Sequence, residues 1–304
     1  MQSLWMLVSA LFYAMYGTCI KFAGEAGVGS WQILFYRSIF GLVLIFCYMH
    51  WKGITLHSHH PWDHAVRSIA GTVAIVAGIY SISHLNLGLA MTLNYTSPLF
   101  LGMFVVCNSL RKHARINWGL IASLVFGFIG VITLLGPTIQ PHEYFAAGVG
   151  LLAGGGAALA TGFVKRLGTF HEPEGRIMLY LMLAGTLCGT AAVAVTGGFT
   201  PWSAENLPWI LGLCLCATFG QITLTMAFSR GNMVLSGALL YTIILFSTIV
   251  GEVVFHEAVT ATVVTGMIII VISGFAASWF TKKEINAVKA LNKKQATESK
   301  QTIQ

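Results

Sequence analysis

Ten long apolar blocks, separated by short polar breaks, constrain the fold of this chain more than any other feature. A helix of about 20 residues spans the ~30 Å hydrocarbon core of a bilayer, and only 9% of the residues are charged. The pattern predicts an all-α polytopic membrane protein with ten transmembrane helices. The predicted spans lie near residues 3–23, 30–50, 65–84, 89–109, 116–136, 146–164, 176–196, 207–228, 234–255 and 261–280.

The basic residues are segregated between alternate loops. If both termini lie on one side of the membrane, that side receives 15 of the 17 Lys and Arg residues, and the loops of the other side contain none. The positive-inside rule therefore predicts a multi-pass protein of the bacterial inner membrane with both termini in the cytoplasm. The +7 formal charge is explained by this topology, so nucleic acid is not expected as a partner.

An internal repeat divides the spans into two sets of five. Residues 93–96 (Leu-Asn-Tyr-Thr) match residues 239–242 (Leu-Leu-Tyr-Thr) at an offset of 146, and Lys21 matches Lys165 at an offset of 144. Because five is odd, the second set enters the membrane from the opposite face, which predicts two inverted repeats. The predicted units are a first repeat (1–140), a second repeat (141–281) and a basic, disordered cytoplasmic tail (282–304).

Two stretches carry a family resemblance. The run 80–100, with its element Tyr95-Thr96-Ser97-Pro98, resembles the first EamA domain of the drug/metabolite transporter superfamily, and 241–266 resembles the second copy. The resemblance covers about residues 5–280. It implies ten helices in two inverted five-helix repeats, with a central cavity lined mainly by helices 1, 3, 4, 6, 8 and 9.

The same resemblance implies a secondary carrier that works by alternating access, with export favoured over uptake on family grounds. Family members handle amino acids, nucleotide-derived metabolites, flavin-like compounds and drugs, so the substrate class stays open. This sequence departs from the family at two positions. Arg111 stands where a glutamate is usual, and Ile244 stands where the second copy would have its proline. A helix break is therefore predicted in the fourth span alone.

Candidate substrate contacts are polar, aromatic or helix-breaking residues within the spans that the resemblance places around the cavity. Pro98 could instead be a structural kink, and the other side chains could form hydrogen bonds between helices. The candidates are Tyr13, Tyr16, Tyr80, Asn94, Tyr95, Pro98, Gln221, Thr225 and Tyr241.

Three kinds of charged residue lie within or at the ends of the spans. Glu252 is a candidate for proton coupling, or else an interfacial carboxylate. For Arg37 a structural role by pairing or snorkelling is favoured over anion binding. Lys21 and Lys165 are interpreted as anchors at helix C-termini.

The remaining polar features predict no metal site and no cofactor. Residues 57–64 contain four histidines and could bind a metal, but a solvated cytoplasmic loop is the favoured interpretation. The six cysteines lie in or beside apolar spans without a CxxC pair. A membrane-embedded enzyme and a channel for a polar solute are the alternative functions. A homodimer stays open, because a dimer face would be as apolar as the lipid-facing surface.

Overall fold

The computed structural model describes residues 4–111, 118–135, 140–231 and 233–302, and within these ranges it contains helices and no strands. A short 3₁₀ turn, Pro141–Glu143, precedes the seventh helix. The helices are α1 (Trp5–Glu25), α2 (Ser30–Trp51), α3 (Pro61–His84), α4 (Leu87–Asn94), α5 (Ser97–Arg111), α6 (Trp118–Leu135), α7 (Tyr144–Thr169), α8 (Glu174–Val195), α9 (Leu207–Ser229), α10 (Met233–Leu240), α11 (Thr242–Phe255) and α12 (Ala261–Thr302).

Seven of these helices are long and apolar enough to cross a membrane, so the chain is a multi-pass membrane protein. The seven are α1, α2, α3, α7, α8, α9 and the first part of α12. The predicted fourth span is divided between α4 and α5, and the predicted ninth between α10 and α11. The number of ten membrane crossings stays a prediction.

The prediction of a break in the fourth span alone is wrong, because the ninth span is also interrupted, at Tyr241. Both interruptions have the same hydrogen bond, from a threonine hydroxyl to the carbonyl three residues earlier, and the second interruption has no proline. The hydroxyl of Thr96 donates to the Leu93 carbonyl at 2.7 Å, and the hydroxyl of Thr242 donates to the Leu239 carbonyl at 2.7 Å. A threonine that bonds a preceding carbonyl competes with the helical hydrogen bond and bends the helix. The repeated Tyr-Thr pair therefore lies at both breaks.

The main helix contacts join the two halves of the chain in a symmetric pattern. The main pairs are α1 with α9, α3 with α7, α2 with α8 and α6 with α12. The internal repeat relates α1–α6 to α7–α12 in order. Exchanging each helix for its counterpart converts the α1–α9 pair into the α7–α3 pair, and it leaves the α2–α8 and α6–α12 pairs unchanged. Close approach of α2 and α8 depends on Gly189, where a Cβ would lie 2.9 Å from the backbone nitrogen of Phe35.

The prediction of a disordered tail over 282–304 is wrong for the residues that the structure describes, because α12 continues to Thr302. The segment after the apolar part contains neither Gly nor Pro and is rich in Lys, Ala, Glu and Gln. These residues have favourable helix propensity, so no local signal ends the helix. The side chain of Arg111 lies outside the described residues.

A polar network at one end of the bundle joins the α2–α3 loop to the α7–α8 turn. The Glu172 carboxylate accepts hydrogen bonds from Ser58 Oγ and Arg176 Nη1, both at 2.6 Å. Arg176 also donates to the Thr55 carbonyl oxygen at 2.9 Å. The interpretation of 57–64 as a solvated loop is therefore wrong in part, because Ser58 and His64 are buried. The described residues contain no group of three side chains suited to a metal ion.

The Glu172 network predicts a specific pH dependence. Burial raises the pKa of Glu172, but the hydrogen bonds from Ser58 and Arg176 and the positive charge of Arg176 outweigh burial and lower it overall. A lowered folded-state pKa stabilises the fold above the unfolded pKa of about 4.3, and this contribution is lost as the pH falls through the folded value. We expect wild type to melt above Glu172→Gln by a constant margin above about pH 5.5 and by a shrinking margin below about pH 4. A margin that does not change between these pH values in thermal unfolding would contradict the assignment.

Candidate functional site

A cavity of about 120 Å³ lies among α1, α2, α3, α4, α7, α8 and α9. This volume holds several water molecules, since one needs about 10–15 Å³ on the same measure. Small residues on α3 and α7 provide the space: Gly71, Ala74, Gly78, Ala153, Ala157 and Ala160. The described lining contains no His, Cys, Asp or Glu, so it offers neither the usual metal ligands nor a carboxylate.

Three tyrosines and two amides form one polar part of the lining. The Tyr13 hydroxyl donates to Gln221 Oε1 at 2.8 Å and thereby links α1 to α9. The Tyr13 ring lies edge-on to those of Tyr16 and Tyr95, with centroid separations of 6.0 and 6.2 Å. Asn94 ends α4 beside them, and its Oδ1 is buried without a hydrogen-bond partner. Tyr95 occupies this place because the chain breaks between α4 and α5.

Arg37 lies in the cavity wall and does not snorkel to the membrane surface, since only 2% of its surface is exposed. Its Nη1 donates to the Tyr16 hydroxyl at 2.9 Å, and its Cζ lies 5.0 Å from the centre of the Tyr16 ring. Nε and Nη2 are buried without an acceptor. The sequence predicted that Arg37 has a pairing partner, and in the structure that partner is a tyrosine. Most of the N–H donors of the guanidinium are left without an acceptor.

Arg67 is the cavity residue that the sequence analysis missed. It was counted among the basic residues of the cytoplasmic side, yet it is 4% exposed and lines the cavity from α3. Its guanidinium lies against Gly71, where an added Cβ would be 2.2 Å from Nη1. The available signal was an arginine inside the apolar span with a glycine four residues later, on the same helix face.

The structure brings together six of the predicted site residues, namely Tyr13, Tyr16, Arg37, Asn94, Tyr95 and Gln221. The other candidates lie outside this lining. Thr225 is buried behind Gln221, whose Nε2 lies 3.4 Å from its hydroxyl. Pro98 lines a separate cavity of about 20 Å³.

Three further candidates are also outside the main cavity. Tyr80 stacks on His84 with a centroid separation of 4.1 Å. Tyr241 is buried against Gly274, where a Cβ would overlap its hydroxyl. Glu252 is exposed on α11, so its carboxylate lacks the burial that the proton-coupling hypothesis invoked. That role stays a prediction.

A partly buried ion pair lies where α1 ends and α4 begins. The Lys21 ammonium contacts the carboxylate of Glu257, which follows α11. Both oxygens of Glu257 also accept from the backbone nitrogen of Leu87, at 2.9 and 2.8 Å. Leu87 is the first residue of α4, where a negative charge complements the helix dipole. Lys21 thus does more than anchor α1, because it connects α1, α4 and the end of α11.

Comparison with known proteins identifies the first part of this architecture. Residues 1–136 match the sequence profile of the EamA-like transporter family. This chain contains an EamA-like transporter domain. Within that domain lie α1 to α6 and with them Tyr13, Tyr16, Arg37, Arg67 and the α4–α5 break. The wall formed by α7, α8 and α9 lies beyond the matched residues.

Similar proteins extend over more of the chain than the EamA profile does. The pseudopaline exporter CntI of Pseudomonas aeruginosa is 25% identical over 273 residues, which cover 90% of this chain and 94% of that protein. A riboflavin transporter of Brucella anthropi is 24% identical over 197 residues, covering 63% of this chain and 66% of that protein. One solved crystal structure shares the fold, with a TM-score of 0.65 at 13% identity, over 93% of this chain and 98% of that one.

Proposed function

We propose that this EamA-domain protein is a secondary transporter that moves a small organic solute across the bacterial inner membrane by alternating access. The observation that carries the proposal is the cavity of about 120 Å³, which is lined by side chains from both halves of the chain. Unpartnered polar atoms of Arg37, Arg67 and Asn94 lie in its walls. Polar groups held inside a membrane bundle are costly and mark a solute pathway.

The transport mechanism rests on the two halves being inverted repeats, 1–140 and 141–281. The α1–α9 contact and its equivalent, the α3–α7 contact, support this relation. The matching hydrogen bonds of Thr96 and Thr242 at the two breaks also support it. Two halves that exchange conformations would open the shared cavity to one side and then to the other. Because the pseudopaline exporter resembles this chain over most of its length, we propose export, with both termini in the cytoplasm.

The alternatives are less well supported by the cavity. An enzyme would need a nucleophile with a base, or paired carboxylates, at one place. The described lining has no serine, cysteine, histidine or acid. A channel would need a continuous polar path, whereas the lining beside the tyrosines and arginines is largely aliphatic. The relatives named as an exporter and a transporter also favour a carrier.

Counterflow in proteoliposomes tests the proposed function. Thermal-shift screening against amino acids, nucleosides, flavins and organic acids first finds a ligand, because a compound that binds only the folded state raises the melting temperature. Vesicles preloaded with that unlabelled ligand should then accumulate the labelled form transiently above its external concentration. A channel would equilibrate the label without this overshoot, and an enzyme would convert the compound.

Cavity variants connect the counterflow to the site. Gln221→Ala removes the acceptor of the Tyr13 hydroxyl, and we expect the half-saturation concentration to rise about tenfold, as for the loss of about 1.4 kcal/mol of binding. Thr190→Ala is the matched control, because this exposed hydroxyl on α8 bonds only the carbonyl of Thr186 in its own helix. Equal changes in both variants would disconnect transport from the cavity.

A further inference from the structure

The cavity contains two buried guanidinium groups and, in its described lining, no acid to balance them. Arg37 and Arg67 are 2% and 4% exposed, and neither has a carboxylate within ion-pair distance in the part of the chain that the structure describes. Nε of both residues and Nη2 of Arg37 lack any acceptor. An unbalanced buried cation costs several kcal/mol, so such a pair is expected to have a partner during function.

The acids that form ion pairs are engaged elsewhere. Among the described residues, Asp63 pairs with Arg166 and Glu172 with Arg176, both outside the cavity lining. Glu174 pairs with Arg230, and Glu257 with Lys21. Each of these bridges uses a different basic residue. A structural ion pair therefore does not explain why two arginines are kept in the cavity.

Both guanidinium groups are held in place by their surroundings. Tyr16 fixes Arg37 by a hydrogen bond of 2.9 Å and by the face of its ring. Gly71 leaves the space that the Arg67 guanidinium occupies, and a Cβ there would also lie 2.8 Å from Leu181 Cδ1. A site whose donors are positioned before the ligand arrives loses less free energy to ordering on binding. The arrangement is typical of a preorganised binding site.

We propose that the cavity binds a small organic anion, whose carboxylate or phosphate oxygens accept hydrogen bonds from Arg37 and Arg67. A guanidinium presents a planar fork that matches either group, and charge-assisted bonds of this kind are the strong ones. The rings of Tyr13 and Tyr95 border the place that the apolar body of the anion would occupy. The unpartnered Asn94 Oδ1 accepts a hydrogen bond from a second polar group of the solute. This inference rests on the proposed transport function and names the substrate class.

Matched pairs of probes test the charge requirement. Purified protein in nanodiscs is titrated with succinate against succinamide, indole-3-acetate against indole-3-acetamide, and glycerol 3-phosphate against glycerol. The two carboxylate–amide pairs have similar shapes but differ in charge. Glycerol lacks the whole phosphate group of glycerol 3-phosphate, so this third pair asks whether the site takes a phosphate in place of a carboxylate. We expect the anion of at least one pair to raise the melting temperature and its neutral partner to leave it unchanged. Equal shifts by neutral partners, or no shift by any anion, would overturn the proposal.

Arginine variants then locate the effect. For the anion that binds, Arg67→Gln is expected to weaken affinity at least about 30-fold, as is typical for loss of a buried charge partner. Arg67→Lys keeps the charge but loses the fork, so it should give an intermediate affinity. Arg166→Gln removes the same charge from an exposed position on α7 and should bind like wild type. Anion affinity that is unchanged in both Arg67 variants, in protein that melts normally, would contradict the assignment.

The outcomes distinguish this inference from the proposed function. Counterflow of a neutral solute together with no anion binding would leave the transporter standing and overturn the anion site. Anion binding that depends on Arg67 without any flux would support the site and contradict the transporter. An equal shift with sodium chloride or inorganic phosphate would show that any small anion fills the cavity, and would overturn the organic substrate class.

Discussion

Glu257→Gln is expected to lose up to about 3 kcal/mol of stability, the lower end of the cost of breaking a buried ion pair, because this pair is partly buried. The exposed fractions of the Lys21 and Glu257 side chains are 16% and 11%, so water screens the remaining charge poorly. The substitution also removes the negative charge at the start of α4, where both carboxylate oxygens accept from Leu87. Thermal unfolding of purified protein measures the loss.

The same substitution should slow counterflow by about tenfold or more, because a conformation that loses about 1.4 kcal/mol relative to the other is tenfold less populated. Glu257 connects α1, α4 and the end of α11 in the conformation that the structure represents. Alternating access requires the two conformations to be close in free energy. Weakening a contact present in one of them therefore shifts the balance as well as the stability.

A double variant and a surface variant serve as controls for Glu257→Gln. Lys21→Met combined with Glu257→Gln removes both charges, and it should recover part of the stability that either single change loses. Glu205→Gln makes the same acid-to-amide change at an exposed position between α8 and α9, and it should melt like wild type. If the double variant melted at the sum of the two single losses, Lys21 and Glu257 would not be coupled.

Gly154→Ala is expected to destabilise the fold by about 1–3 kcal/mol, the typical cost of overpacking, and to reduce transport. An added Cβ would lie 2.3 Å from Thr96 Oγ1 and 3.0 Å from the Leu93 carbonyl oxygen. That hydroxyl satisfies the same carbonyl beside the α4–α5 break. Displacing it removes this hydrogen bond where no bulk water replaces it, and leaves the carbonyl with the longer bond from the Thr96 backbone nitrogen at 3.3 Å. Asn94 and Tyr95, which line the cavity, move with the break.

Gly155→Ala is the matched control for this prediction. The added Cβ would meet nothing closer than the Phe100 ring at 3.7 Å, an ordinary contact. Alanine also has the higher helix propensity, so Gly155→Ala should be neutral or slightly stabilising. Melting temperatures and counterflow rates of the two neighbours are compared directly. Equal behaviour of the two variants would show that the break does not depend on the small residue at 154.

The repeat illustrates what sequence patterns predict well. Similar positions in the two halves identified Tyr95 and Tyr241 as counterparts, and both lie at helix interruptions. The break itself was attributed to Pro98, since a missing N–H is visible in a sequence. The hydroxyl-to-carbonyl bonds of Thr96 and Thr242 were not predicted, because a threonine in an apolar span has several partners available, and only the bent backbone selects one.

The two arginines illustrate the opposite case. Charge counting assigned Arg67 to the cytoplasmic side, and its position near the start of α3 agrees with that count. The direction of a long, flexible side chain is set by the helices around it, here by the space at Gly71 and by Leu181 of α8. Arg37 was likewise assigned a structural role, because the sequence does not reveal which face of α2 meets the cavity.

The sequence by itself determined the class of this protein. Blocks of apolar residues match the thickness of a bilayer, and this one-dimensional property predicts a helical membrane protein without any contact. The repeat and the resemblance to EamA proteins then predicted a transporter. Tertiary structure alone decided the site, since Tyr13 meets Gln221 across 208 positions of the chain and Lys21 meets Glu257 across 236. Such contacts depend on how all the helices pack together, and local propensity contains no information about them.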